Sequence, residues 1–176
     1  MDRVFITGAP GSRWSGVAQE IEKDGNYDMS DRTSERQYQH HGFSGHKGAY
    51  FGTGMEFPVT LDTKTLNSPY DNKNNKTKLH KSHEWSLILD DIVKAHPKAG
   101  IILIYRPDDA SFSWWQEAGG FNIDYPNYSH YENETKMKEN IKKQNDAMLK
   151  FAHKYKLIWE HHHKHHDVLI AKKFPK

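Results

Sequence analysis

A short apolar strand that runs directly into a glycine-rich turn constrains this chain more than any other feature. The apolar run at 4–6 predicts a buried strand over 3–7, and residues 7–15 continue as T-G-A-P-G-S-R-W-S. Apolar residues at helical spacing then predict a helix over about 14–23. A strand, a turn and a helix N-terminus in this order bring unpaired backbone N–H groups together, which favours binding of an anion such as phosphate.

The turn differs from the phosphate loop of nucleoside triphosphatases. When the pattern G-x-x-x-x-G-K-[ST] is laid on residues 8–15, Arg13 and Trp14 stand in place of the second glycine and the lysine. The lysine that reaches the β- and γ-phosphates is therefore missing. The sequence predicts a phosphate loop for a ligand without a γ-phosphate.

Composition narrows the classes of protein to consider. A length of 176 residues suits one domain, taken as 1–176. Lys and Arg total 25 against 23 Asp and Glu, a net charge of +2, which argues against general nucleic-acid binding. The absence of cysteine excludes disulfides, thiolate catalysis and cysteine–zinc sites. With no long apolar run and no signal pattern, we expect a cytoplasmic protein without a membrane partner.

The rest of the chain alternates between strand and helix patterns. Ser82 is a predicted N-cap for an apolar-faced helix that ends at His96-Pro97, and 100–105 reads as a central parallel strand. Further helices are predicted over about 108–118 and, after the cap Asn133, over about 134–156. Short strands are expected at 59–61, 157–159 and 167–171, with loops over most of 25–80. This order predicts a three-layer α/β/α domain, like the phosphate-loop folds, with a mainly parallel central sheet.

Three segments carry the residues suited to chemistry. The first is the turn at 10–15, the second is Lys78-Leu79-His80, and the third is the stretch R-P-D-D-A-S-F-S-W-W at 106–115. The first and third follow predicted strands. Ligands of α/β folds bind outside the carboxyl ends of the strands, so these segments are expected to converge.

In this order the segments resemble the motifs of sulfotransferases that use 3′-phosphoadenosine 5′-phosphosulfate (PAPS). Cytosolic members of that family have P-K-S-G-T-T-W after the first strand, K-T-H ahead of a helix, and R-N-P-x-D-x-x-x-S-Y-Y after an apolar strand. With one residue deleted after Arg106, Pro107, Asp109 and Ser113 match the third motif, and Trp114-Trp115 replace the aromatic pair. The similarity covers three islands over residues 3–115.

The resemblance implies a binding mode for the donor. The loop formed by Pro10, Gly11, Ser12, Arg13, Trp14 and Ser15 would bind the 5′-phosphosulfate through backbone N–H groups and the hydroxyls of Ser12 and Ser15. Arg106 and Ser113 would bind the 3′-phosphate, for which the planar fork of arginine is well suited. The product left after transfer would be 3′-phosphoadenosine 5′-phosphate (PAP).

The resemblance also implies a reaction. His80 would act as the general base that takes the proton of an acceptor hydroxyl or amine, and Lys78 or Arg13 would stabilise the developing charge. No metal is required. The acceptor would be a small molecule, a glycan or a peptide, bound by the loops expected at 25–77 and 116–133.

Two departures from the family leave alternatives open. Gly11 replaces the loop lysine of the cytosolic enzymes, and the C-terminal K-G-x-x-G motif is not recognisable. One alternative is a nucleotide-binding module that has the same pocket but no turnover. The other is a nucleotide or nucleoside kinase with a degenerate loop, which would bind ATP with Mg²⁺.

A run of histidines lies outside these motifs. Residues 161–166 read H-H-H-K-H-H. The pattern favours an exposed polar turn between two strands, and binding of zinc or nickel by alternate histidines is the other interpretation.

Overall fold

A six-stranded mixed sheet forms the centre of the computed structural model, which describes residues 1–31, 59–122 and 129–175. The strand order is β2-β3-β1-β4-β6-β5. The first four strands in this order are mutually parallel, β6 runs antiparallel to β4, and β5 antiparallel to β6. The prediction of an α/β fold with a mainly parallel sheet is confirmed. The strands are β1 (Arg3–Gly8), β2 (Tyr27–Asp28), β3 (Thr77–Lys81), β4 (Gly100–Tyr105), β5 (Trp159–His161) and β6 (Leu169–Lys173).

Five α-helices connect these strands in the described part of the chain. Two of the predicted caps are present: the Ser82 side chain accepts a hydrogen bond from the Glu84 N–H, and Asn133 accepts one from Lys136. Ser82 caps a 3₁₀ turn, His83–Leu87, which precedes the α-helix. The helices are α1 (Trp14–Glu22), α2 (Thr63–Asn67), α3 (Leu89–Ala95), α4 (Asp108–Glu117) and α5 (Glu134–Lys154). None is both long enough and apolar enough for a membrane span, within the residues described.

The core lies on both faces of the sheet because alternate strand residues point in opposite directions. On one face, Phe5, Ile101 and Leu103 pack with apolar residues of α3 and α5. On the other, Val4, Ile6 and their neighbours on β3 and β4 pack against α1. Every residue of β1 is buried, which is the expected property of a strand at the centre of a parallel sheet.

Three boundaries differ from those predicted. β3 lies inside the segment expected to be mostly loop, because its polar residues Lys78, His80 and Lys81 hide the apolar pattern that signals a strand. Residues 59–61 form no strand, and Leu61 packs on the core beside α2. The last two strands begin about two residues later than predicted. Residues 162–166 of the histidine run lie in the turn between them, as predicted, but His161 ends β5, and His162 is buried where an exposed turn was expected.

Candidate functional site at the carboxyl end of the sheet

The turn after β1 contains two left-handed residues and ends at the N-terminus of a helix. Gly11 and Arg13 adopt left-handed conformations, with φ of 78° and 67°. The Ser12 N–H donates to the Ala9 carbonyl at 3.0 Å, and Arg13 immediately precedes α1. The loop therefore closes tightly and leads directly into the first turn of a helix, where backbone N–H groups have no partner within the helix.

Close packing explains the two glycines of the loop. A Cβ atom on Gly11 would lie 1.8 Å from the Ser111 carbonyl oxygen on α4. A Cβ atom on Gly8 would lie 2.5 Å from Ser12 Oγ and 2.6 Å from the Ile104 carbonyl oxygen at the end of β4. The loop is thus seated on the ends of β4 and α4. The predicted convergence of the first and third segments is observed.

Two arginines and a tryptophan surround the loop. The guanidinium carbon of Arg13 lies 3.8 Å from the centre of the Trp114 ring, and that of Arg106 lies 5.8 Å from it. Arg106 Nη1 donates to the Gly11 carbonyl at 3.4 Å. Burial, and then the positive charge of Arg106, lowers the pKa of Arg13. Two cations so close together make this edge attractive to an anion.

The turn between β5 and β6 holds both arginines. Asp167 Oδ2 accepts a hydrogen bond from Arg106 Nε and forms an ion pair with Nη2, each at 2.5 Å. Burial opposes ionisation of Asp167, but the hydrogen bond and charge of Arg106 keep its pKa below the ordinary value. His165 Nε2 lies 2.9 Å from Arg13 Nη1. A phosphate that binds the Arg106 guanidinium would have to compete with the Asp167 carboxylate.

The three serines of the predicted site differ in position. Ser12 is fully buried, and among the described residues its hydroxyl has no hydrogen-bond partner. Ser15 is half-buried in the first turn of α1. Ser113 lies on the exposed side of α4, whereas Ser111 is buried and donates to the Arg106 carbonyl. Residues two apart on a helix point about 200° apart, so Ser113 is turned away from the side that Ser111 presents.

Lys78 and His80 lie away from the loop. Lys78 is paired with Arg3, the first residue of β1, about 16 Å along the strand from Gly8. His80 is fully buried in the core on the face opposite α1, with its ring 5.1 Å from that of Phe5 and 5.6 Å from that of Tyr70. Burial, and then the nearby positive charge of Arg3, lowers the pKa of His80 well below its ordinary value. Neither side chain is positioned to face a ligand at the loop.

His83 occupies the place at the carboxyl end of β3 that was expected for His80. The Thr7 hydroxyl donates to the His83 carbonyl at 3.0 Å, and Thr7 directly precedes the loop. The sequence contained a signal for this histidine. Lys81-Ser82-His83 repeats the Lys-x-His spacing three residues after Lys78-Leu79-His80, with a hydroxyl residue in the middle as in K-T-H.

A small surface pocket is lined in part by His130, whose ring contacts that of His83. The His83 and His130 rings meet edge to face with their centres 5.3 Å apart. Burial and the charge of His83 lower the pKa of His130 to about 4. The pocket has a volume of about 240 Å³ and is lined by Ser129, His130, Lys136, Glu139, Asn140 and Lys143. Residues 32–58 and 123–128, which cover much of the expected acceptor loops, lie outside the described residues.

Lys81 is buried in an ion cluster on the α1 side of the sheet. Its Nζ lies 2.6 Å from Glu22 Oε1 and 3.0 Å from Asp31 Oδ2, and all three side chains are at most 1% exposed. The charge of this lysine is therefore engaged by two carboxylates.

Comparisons with family models, with curated proteins and with solved structures found no match to this chain.

Proposed function

We propose that the protein is a sulfotransferase with a three-layer, phosphate-loop-like domain, which moves a sulfuryl group from PAPS to a hydroxyl or amine acceptor. One observation carries the donor site: a left-handed loop after the central strand is contacted by Arg106, and Arg13 and Trp114 complete the same edge. This combination offers backbone N–H groups, two guanidinium groups and an aromatic face. A nucleotide with two anionic positions and a flat base matches those groups.

The positions of the donor-binding residues suggest which part of PAPS each would bind. Backbone N–H groups of the loop, with Ser12 and Ser15, would hold the 5′-phosphosulfate. Arg106 would bind the 3′-phosphate after exchanging its contact with Asp167 for phosphate oxygens. Ser113 points away from the loop side of α4, so we leave the 3′-phosphate to Arg106.

We assign the general base to His83 by position: it follows β3 at its carboxyl end, whereas His80 lies in the core on the face opposite α1, and both side chains are buried, with 1% and 0% exposed. The acceptor oxygen or nitrogen would attack sulfur in line, and its proton would pass to the His83 ring. The bond from sulfur to the bridging oxygen would break, leaving PAP. His130 both contacts His83 and lines the pocket, which supports that pocket as the acceptor entrance.

Charge on the bridging oxygen would be stabilised by Arg13. Lys78 is far along β3, and Lys81 is held between Glu22 and Asp31. Arg13 is in the loop itself and is partly desolvated, which strengthens its interaction with a developing anion.

Thermal unfolding with four ligands tests the donor site: PAP, PAPS, adenosine 5′-phosphosulfate and ATP with Mg²⁺. A ligand at about 100 times its Kd adds about 2.7 kcal/mol, or a rise in Tm of about 5–10 °C for a chain of this size. We expect such a shift with PAP and PAPS and a much smaller one with adenosine 5′-phosphosulfate, which lacks the 3′-phosphate. A shift with ATP alone would favour the kinase, and no shift with any ligand would overturn the proposal.

Variants of the Arg106–Asp167 pair separate ligand binding from stability. Arg106→Ala is expected to abolish the PAP shift. Asp167→Asn breaks the same ion pair but keeps the guanidinium, so we expect it to retain or increase the shift. Loss of the shift in both variants would mean that the pair only shapes the loop.

A nucleotide-binding module without turnover is the second candidate. The engagement of Lys81 by two carboxylates, together with the missing loop lysine, favours it. It predicts tight PAP binding and no release of PAP from PAPS in single-turnover experiments with hydroxyl and amine acceptors. Transfer of the sulfuryl group to any of them would exclude it.

A further inference from the structure

The histidine-rich turn between β5 and β6 packs against α1 through two of its histidines. His162 is 4% exposed, and its Nε2 lies 3.0 Å from Glu20 Oε2. His163 Nε2 lies 4.0 Å from the same carboxylate oxygen. The three potential ligand atoms are all within 4.8 Å of one another. Two imidazoles from the turn and one carboxylate from α1 therefore converge on one point.

We propose that Glu20, His162 and His163 form a site for a divalent transition metal, with zinc as the best match. Zinc binds imidazole nitrogen and carboxylate oxygen at about 2.0–2.2 Å, so tetrahedral donor atoms are about 3.3–3.5 Å apart. The separations of 3.0 and 4.0 Å lie on either side of that value. Shifts of about 1 Å or less in these side chains would therefore bring both histidines to bonding distance of one ion.

The surroundings of Glu20 suit this role. Lys164 Nζ lies 3.1 Å from Glu20 Oε1, while Oε2 faces the histidines. The lysine thereby fixes the carboxylate and leaves the second oxygen for the metal, as outer hydrogen bonds do at zinc sites. Three protein ligands leave one tetrahedral position for water or another small ligand.

His162 changes its proton position on binding. Its Nδ1 accepts a hydrogen bond from the Lys164 N–H at 3.3 Å, which leaves the proton of the neutral ring on Nε2 facing Glu20. When Nε2 binds the metal, the ring releases its Nε2 proton and takes up one proton at Nδ1, so it stays neutral. The long Lys164 contact is then given up in exchange for the metal bond.

The proposed site would fix the turn that contacts both arginines of the loop. The His162 and His165 rings are stacked, with centres 5.3 Å apart and planes at 10°. His165 contacts Arg13, and Asp167 binds Arg106. A bound metal would fasten this turn to α1. The inference does not depend on which nucleotide the loop binds.

The same turn supplies a matched control. His161 and His166 are exposed, and His161 Nδ1 lies 2.7 Å from the His166 carbonyl oxygen, apart from the Glu20 cluster. If the run merely chelated metals as a flexible histidine-rich segment, these two residues would contribute as much as His163 does.

The experiment is a zinc titration of chelator-treated, full-length protein that carries no histidine tag. Metal affinity is measured by competition with a chromophoric chelator, and unfolding with and without Zn²⁺. We expect one equivalent to bind and to raise Tm. Loss of an outer hydrogen-bond partner alone weakens zinc binding about 10–100-fold, so His163→Gln and Glu20→Gln should each weaken it at least about tenfold. The double control His161→Gln/His166→Gln should change it less than about threefold.

Cobalt provides an independent readout of geometry. Substitution with Co²⁺ should give the intense visible absorption of a four-coordinate ion, lost in His163→Gln and kept in the control. Equal loss of affinity in the control and in His163→Gln, or unchanged affinity in Glu20→Gln, would overturn the proposal in favour of adventitious chelation. Because His163 is exposed, its variant keeps the fold and remains informative.

Discussion

The Ser111 carbonyl oxygen occupies the space that any side chain at Gly11 would need, since a Cβ atom there would lie 1.8 Å from it. Gly11 also has φ of 78°, a conformation that L side chains adopt with strain. The close approach of the Ser111 carbonyl and the left-handed backbone therefore both require glycine at position 11, where the loop after β1 meets α4.

Gly11→Ala is expected to lower the free energy of unfolding by about 2 kcal/mol or more, and to remove the PAP shift, because the loop must leave α4. Gly16 on α1 is the matched control, as no described atom outside its chain neighbours and its own helix backbone lies within 4 Å of a Cβ placed there. Gly16→Ala should stabilise the protein by about 0.5–1 kcal/mol through helix propensity. Denaturant unfolding and PAP binding check both variants. A Gly11→Ala protein that behaves like Gly16→Ala would contradict the packing argument.

His83→Ala is expected to slow sulfuryl transfer by about 10²–10⁴-fold, the usual contribution of a general base, while the PAP shift stays near that of the wild type. His80→Phe places an aromatic ring between Phe5 and Tyr70 and should keep turnover within a few-fold. Release of PAP from PAPS under single-turnover conditions is the measurement. Loss of transfer in His80→Phe with full activity in His83→Ala would reverse the assignment.

The sequence predicted the parts of the fold that depend on apolar patterning. β1 and β4 were recognisable as continuous apolar runs, and the long helix α5 was recognisable because its inward residues recur at helical spacing. The loop at 10–15 was predicted for a different reason: glycine beside a proline after a strand indicates a tight turn of the backbone. In both cases the residues that determine the local structure are the same residues, or close neighbours of the residues, that carry the sequence pattern.

β3 and the position of His80 could not be predicted, because they depend on contacts with residues that are distant in the sequence. The strand buries Lys81 by pairing it with Glu22 and Asp31, which are far away in the sequence. Without the strand register, neither Lys78-Leu79-His80 nor Lys81-Ser82-His83 could be placed at the carboxyl edge. The contacts of Asp167 and His165 with the arginines, from a turn over 50 residues beyond Arg106, likewise had no local signal.

Lys81→Met is expected to destabilise the protein by about 3–5 kcal/mol, because it leaves the Glu22 and Asp31 carboxylates buried without this cation. Lys142→Met is the control: Lys142 is largely exposed, its Nζ is 2.8 Å from Asp146 Oδ2 one helical turn away, and its loss should cost about 0.5 kcal/mol or less. Adding Glu22→Gln to Lys81→Met should recover part of the loss. Chemical denaturation measures all three variants, and equal effects of the two single changes would refute the buried-cluster account.

Acid should weaken the fold through the half-buried His130 and the buried His80. Burial and the His83 charge lower the pKa of His130 to about 4, against about 6.5 in an unfolded chain. Between these values the unfolded chain binds more protons than the folded protein, so stability falls as pH falls from about 6.5 towards 4. His80, whose pKa is also lowered by burial, acts in the same direction.

His130→Gln should reduce the slope of unfolding free energy against pH in this window by up to about one proton. Unfolding curves collected from pH 4 to pH 8 for the wild type and His130→Gln make the comparison, and an equal slope in both proteins would show that His130 binds protons alike in the folded and unfolded states.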